Sequence, residues 1–308
     1  MKYVLTLIVA LSLFNCAFNP DVITGAAEPG NSVKADSLPS SILYGLSYFD
    51  SKNHFVKIEA KTGTMTVLST LDTITTITGP AVVNPDLGYY CFVSYAKLVV
   101  INVLDGSIVK SFTLSHLNTS NMEYNSNTKK LNALSYYDGQ FHFVEIDVAA
   151  ETMNSIQTLA GVTQYLTSST TIDNENKKYY FLSYDTLRAI NTDNGTIVDS
   201  YVLPNNPDGL RCTAGNTLFG MSFTPSGGHF FSFNTVTRQI TTLHGYNGGI
   251  TGYAASDMSD GFYFYLNGYF NGKTALYCID EKTGYNVVSD SIPYQTGELL
   301  PLNVNTIN

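Results

Sequence analysis

The chain has 308 residues, of which 44% are hydrophobic and 13% charged, with 22 tyrosines, 17 phenylalanines and no tryptophan. That apolar share supports a sizeable core and excludes a disordered chain. A formal charge of −9 argues against nucleic acid and anionic membrane surfaces as partners, since both need clustered Lys and Arg.

The first residues read as an address. Lys2 is a minimal charged segment, and Tyr3 to Phe14 is an apolar run of signal-peptide length. A transmembrane helix needs about 20 apolar residues, so this run is too short to span. Residues 1–26 are expected to be a signal peptide, cut after Ala17 or Ala26, and the protein to be secreted. The alternative is lipid anchoring through Cys16 in Leu13-Phe14-Asn15-Cys16, where Asn15 is larger than such a site prefers. Residues 27–40, rich in Pro, Gly and Ser, read as a linker. No further long apolar run follows, so no membrane span is expected.

From residue 41 onward one unit recurs. Its mark is an apolar pair flanking any residue, followed by a turn-forming polar residue. The copies are Val56-Lys57-Ile58-Glu59, Val99-Val100-Ile101-Asn102, Val144-Glu145-Ile146-Asp147, Arg188-Ala189-Ile190-Asn191, Phe231-Ser232-Phe233-Asn234 and Tyr277-Cys278-Ile279-Asp280. From Ile58 to Ile279 the steps are 43, 45, 44, 43 and 46 residues, the length of a four-stranded propeller blade. We label this strand C. Upstream lies an apolar strand B ending in a small polar residue, as in Leu43 to Ser47 and Tyr89 to Ser94. Downstream, Lys61-Thr62-Gly63, Leu104-Asp105-Gly106, Asp193-Asn194-Gly195 and Lys282-Thr283-Gly284 read as tight turns into strand D. Asn-Gly and Asp-Gly favour two-residue hairpins with positive φ. Blades three and five carry Ala149-Ala150-Glu151 and Val236-Thr237-Arg238 instead, a looser fit.

Blade one has no strand A of its own, and one strand remains at the end of the chain, Gly297 to Asn303. The expectation is an all-β, six-bladed β-propeller over residues 41–308. Its blades are four-stranded and antiparallel, and the C-terminal strand joins blade one and removes exposed edges.

The succession Ile190-Asn191-Thr192-Asp193-Asn194-Gly195-Thr196-Ile197-Val198 resembles the quinoprotein-like and YVTN-type propeller repeats. That resemblance covers nearly all of the mature chain and implies architecture only. The repeats lack the tryptophan motifs of quinone-cofactor-binding members, so no cofactor and no catalytic residue is carried over.

In such a disc the D-to-A and B-to-C connections share one face, where ligands sit near the channel mouth. Candidate ligand-binding residues there are Asn118, Gln164, Tyr165, Asp208, Arg211, Tyr246, Asn247, Gln295 and Glu298. Their plainer role is to satisfy turn backbones. Glu123, Asp208 and Glu298 are the carboxylates near this ring, and Arg211 either holds an anion or pairs with Asp208. All five histidines map to the same face. His54, His142 and His229 lie in alternate blades, too far apart to share a metal whose nitrogen ligands sit within about 2.1 Å, so no metal is expected. Beyond the leader, Cys91, Cys212 and Cys278 read as buried small hydrophobes. Asn118 and Asn194 begin Asn-X-Ser/Thr sequons in predicted loops.

No catalytic constellation appears. The expected function is a monomeric, non-enzymatic binding module that takes an extracellular protein or glycan through the channel-mouth face. The alternative is an extracellular hydrolase, lyase or oxidoreductase with its site at the same mouth.

Overall fold

A computed structural model describes residues 41–162, 166–204, 207–213, 216–224, 227–246, 254–257, 261–270 and 273–302. The expected leader, Cys16 and the linker lie outside the described residues. The described chain forms strands and no helix. Blade one holds β1 (Ile42–Phe49), β2 (Lys52–Glu59) and β3 (Met65–Thr70). Blade two holds β4 (Ala81–Asn84), β5 (Tyr89–Ser94), β6 (Lys97–Asn102) and β7 (Ile108–Thr113). Blade three is β8 (Thr119–Asn125), β9 (Lys130–Tyr137), β10 (Gln140–Asp147) and β11 (Thr152–Thr158). Blade four is β12 (Leu166–Asp173), β13 (Lys178–Ser183), β14 (Thr186–Asn191) and β15 (Ile197–Val202). Blade five is β16 (Asp208–Thr213), β17 (Thr217–Thr224), β18 (Gly227–Asn234) and β19 (Ile240–Tyr246). Blade six is β20 (Ala254–Asp257), β21 (Phe262–Phe270), β22 (Lys273–Asp280) and β23 (Asn286–Pro293).

The last strand, β24 (Gln295–Pro301), pairs antiparallel with β1 and completes blade one. The chain is the expected six-bladed propeller, closed by its C-terminal strand. Leu43 faces Pro301 and Ser47 faces Thr296 across that junction. A register shift between Tyr44 and Leu46 surrounds Gly45, where an added Cβ would lie 2.4 Å from Leu299 Cδ2 and 2.9 Å from the Gly297 carbonyl. Only glycine lets the closing backbone approach so near.

Six apolar clusters fill the seams between neighbouring blades. Val100, Leu131 and Val144 join blades two and three, and Phe143, Tyr179 and Ile190 join three and four. Leu43, Val56, Phe264 and Leu276 join blade six back to blade one. Alternation along strands B and C sends successive residues to opposite seams, which is why both faces of each blade are apolar.

The repeated Asn or Asp after strand C caps the turn. Asn102 Oδ1 accepts from the Leu104 N–H at 2.9 Å, Asn191 Oδ1 from Asp193 at 2.9 Å, and Asp280 Oδ1 from Lys282 at 3.0 Å. These turns correct the two-residue expectation. The Asn102 N–H donates to the Ser107 carbonyl across a four-residue loop, in which only Gly106 is left-handed, at φ 74°. Two-residue turns with both φ positive occur instead at the B-to-C hairpins of blades one and three, at Asp50-Ser51 and Asp138-Gly139.

Candidate functional site

The connections leading into the inner strands of blades one, two and three and the B-to-C hairpins of those blades meet at one face. There a cavity of about 1150 Å³ opens. Its walls come from the β3–β4 connection (Thr75 to Pro80), the β7–β8 connection (Leu117, Asn118), β8, and the start of β24. Thr170 on β12 and Arg211 on β16 also line it.

Three lining residues occupy matching places. The inner strands β8, β12 and β16 each lose register against strand B near the mouth. Pairing resumes at Glu123, Thr170 and Arg211, which face Asn132, Phe181 and Phe219. A bulge re-aims the strand that carries it. In β8 the break includes Asn121, which is left-handed at φ 60°, a conformation in which Asn is enriched. The buried Tyr179 hydroxyl donates to the Asn121 carbonyl and fixes that bulge.

Glu123 Oε1 accepts from Thr170 Oγ1 at 3.0 Å. Arg211 Nη1 donates to the Thr170 carbonyl at 2.7 Å and to the Leu210 carbonyl at 2.8 Å. Burial pushes the Glu123 carboxyl up to about 7; the Arg211 guanidinium and the Thr170 hydroxyl pull the other way and are outweighed. Glu123 and Arg211 are the charged residues among the described lining. The rest is hydroxyl, amide, aliphatic and aromatic.

Among the predicted residues, Asn118, Arg211 and Gln295 line the cavity. Asp208 stands in strand β16 and not in a loop, with Oδ1 accepting from the Gly209 N–H at 2.7 Å. Burial raises its carboxyl, against the pull of that N–H and of Arg211. Glu298 falls within β24, and Tyr246 ends β19. Gln164, Tyr165 and Asn247 lie outside the described residues. Thr170 was not singled out from the sequence, nor were Tyr48, Tyr95 and Tyr136, which also line the cavity. A signal for the tyrosines existed, since each directly follows the small polar residue that ends strand B.

Three of the histidines stack on aromatic rings around the mouth. Tyr137 is sandwiched between His116 and His142, with ring centroids 3.5 and 3.7 Å away. Phe49 is sandwiched the same way between His54 and Tyr294, at 3.7 and 4.1 Å. His54 Nδ1 and His142 Nδ1 lie 3.2 Å from Thr70 Oγ1 and Thr158 Oγ1 respectively. These stacks tie the B-to-C hairpins of blades one and three to the connections that precede their inner strands. His244 departs from the expectation: it lies within β19, its ring tilted against Tyr285 in the next blade's C-to-D turn.

Among the described residues, Cys91, Cys212 and Cys278 are buried and in no disulfide. Burial pushes the Cys91 thiol up to about 12 and raises Cys212 as well, so neither is a nucleophile at neutral pH.

No protein-family model and no curated protein matches the sequence. Solved structures share the architecture. TolB from Acinetobacter baumannii is similar with a TM-score of 0.66 at 9% identity, over 85% of this chain and 66% of that one. A chain of a nidogen/laminin complex gives 0.61 at 9% identity, over 86% and 98%. The periplasmic gluconolactonase of Pseudomonas aeruginosa gives 0.57 at 10% identity, over 86% and 99%. At such identities the likeness shows the propeller fold alone.

Proposed function

We propose that this chain is a secreted, monomeric binding module that takes an extracellular protein or glycan at the channel mouth and releases it unchanged. The observation that carries this is the cavity itself. It is large, open on one face, and walled by hydroxyls, amides and aliphatic groups around Glu123 and Arg211, with tyrosines at the edge. Concave sites with a few placed polar groups are where ligands bind. A nidogen propeller in complex with laminin supports binding of a partner by this architecture. A periplasmic gluconolactonase and the apolar leader of this chain support an address outside the cytoplasm. Asn118 and Asn194 are exposed and are the proposed glycosylation sites, the first at the cavity edge.

One observation favours the enzymatic alternative. Glu123, poised near neutrality beside Arg211, has the character of a general acid or base. A blocking experiment separates the readings. The extracellular fraction of the producing cells is offered to the wild type and to Asn118→Cys carrying a bulky maleimide. The wild type is expected to retain a ligand, recovered with unaltered mass, that the blocked protein does not. Equal retention by both would contradict the mouth as the site. A mass change made by the wild type and lost in Glu123→Gln would replace binding with catalysis.

A further inference from the structure

A serine followed by an aromatic residue recurs at or near the end of strand B in five blades: Ser47-Tyr48, Ser94-Tyr95, Ser135-Tyr136, Ser183-Tyr184 and Ser222-Phe223. The serine of each pair is buried. Ser47 shares a 3.1 Å hydrogen bond with Thr296, Ser94 donates to the Thr76 carbonyl at 2.7 Å, and Ser135 shares a 3.3 Å bond with Thr119. These three serines tie their hairpins to the adjoining connection or inner strand. The tyrosine that follows is turned outward: Tyr48, Tyr95, Tyr136 and Tyr184 are 47, 60, 43 and 57% exposed. In two blades the backbone is strained to do this. Tyr95 and Tyr184 sit in the left-handed region, at φ 54° and 56°, where a bulky residue is an outlier and Gly or Asn would be at ease. An aromatic retained at a strained, exposed hairpin position, twice, points to use of the ring.

From this crown and the cavity floor we infer that the mouth binds an oligosaccharide, with Tyr48, Tyr95 and Tyr136 as stacking platforms for successive sugar rings and Glu123 and Arg211 hydrogen-bonding the hydroxyls that reach the floor. This rests on the binding-module reading and chooses between its two ligand classes. A protein interface carries its charged groups on the rim and depletes them at the centre. Here the charged pair, Glu123 and Arg211, lies within, among hydroxyls and aliphatic side chains such as Leu46, Met122 and Leu299, and exposed tyrosines stand at the edge. A sugar chain fits that order: its apolar ring faces meet the tyrosines, while its hydroxyls both donate and accept. A carboxyl and a guanidinium together supply acceptors and donors for adjacent hydroxyls. The volume of about 1150 Å³ exceeds the range of about 300–1,000 Å³ for single small ligands, and the platforms recur blade by blade, as a polymer of like units would require. Tyr rings also suit the task because only two torsions must be fixed.

The test is titration calorimetry of the full chain with cellohexaose, xylohexaose, chitohexaose and mannohexaose, each against its monosaccharide. At least one hexaose is expected to bind tenfold or more tightly than its monosaccharide. Tyr95→Asn and Tyr136→Ala are expected to weaken it about tenfold, with Tyr95→Phe and Tyr136→Phe close to wild type. Asn tolerates the left-handed backbone, so Tyr95→Asn removes the ring without removing the fold, and thermal unfolding checks that. Failure of all four hexaoses, or binding indifferent to both ring deletions, overturns the inference. If the hexaoses fail while the maleimide-blocked Asn118→Cys protein still loses an extracellular protein ligand, the glycan assignment falls and the binding-module reading stands. If blocking changes nothing, both fall.

Discussion

At the scale of single residues, Glu123 is the group whose surroundings differ most from water while it still faces a cavity. Burial lifts its carboxyl from 4.5 to about 7. Between those values the folded state keeps a proton that the unfolded chain has released. Stability contributed by this group therefore falls as pH rises from 4.5 to 7 and is level above. Glu123→Gln is expected to remove that slope and to raise stability above pH 7, measured by urea unfolding across pH 4 to 8. An unchanged slope would contradict the environment described for it. Its neighbours explain why a sequence exposes so little of such a site. Arg211 and Glu123 are 88 residues apart in the chain and meet only because three inner strands carry bulges at one level. A bulge has no composition signal of its own beyond an Asn such as Asn121, so Thr170 in the run Ser168-Ser169-Thr170-Thr171 could not be told from its neighbours. Pairing of Arg211 with Asp208 is the plainer expectation; Arg211 donates to the Thr170 and Leu210 carbonyls, and its charge also acts on the Asp208 carboxyl.

At the scale of elements, the C-to-D turns fill one position in two ways. The left-handed residue is Gly63, Gly106, Gly195 and Gly284 in blades one, two, four and six. A Cβ at Gly106, Gly195 and Gly284 would lie 2.7 Å from Ser69 Oγ, 2.5 Å from Gln157 Cβ and 2.8 Å from Leu243 Cβ, all on strand D of the preceding blade. Blades three and five place Glu151 and Arg238 at the same position, at φ 57° and 60°. There the side chain reaches back along the seam, Glu151 to Lys110 at 3.2 Å and Arg238 to Asp199 at 3.3 Å. Close backbone contact in one set of seams is thus replaced by an ion pair in the other. Gly195→Ala is expected to lower stability by about 2 kcal/mol, from left-handed strain plus the clash. Glu151→Gly relieves strain and loses an exposed ion pair of small value, so its effect is expected within about 1 kcal/mol. Equilibrium denaturation of both variants checks the contrast, and equal losses would contradict it. The sequence marked these two turns as different, because a glycine and a charged residue cannot fill one position for the same reason. Their true loop length was hidden, since Asp-Gly and Asn-Gly serve two-residue and four-residue turns alike.

At the scale of the whole molecule, the disc was legible because a repeat multiplies one weak signal. Strand A was the faintest, being short and polar, yet a missing first strand and a surplus last one imply a ring. The six seam clusters, including the one joining blades six and one, depend on that closure, and so does the mouth, whose wall contains the start of β24. What the mouth holds was less legible, because rim tyrosines and loop hydroxyls are common residues that gain meaning only when ringed around one cavity. Closure is tested most directly by a cross-link. Ser47 and Thr296 face each other across β1 and β24, with hydroxyl oxygens 3.1 Å apart, within disulfide reach. Ser47→Cys with Thr296→Cys, oxidised while folded, is expected to give one intramolecular disulfide and no other, read by mass spectrometry of the digested protein. Both thiols remaining free and reactive toward maleimide in the folded protein would contradict the ring.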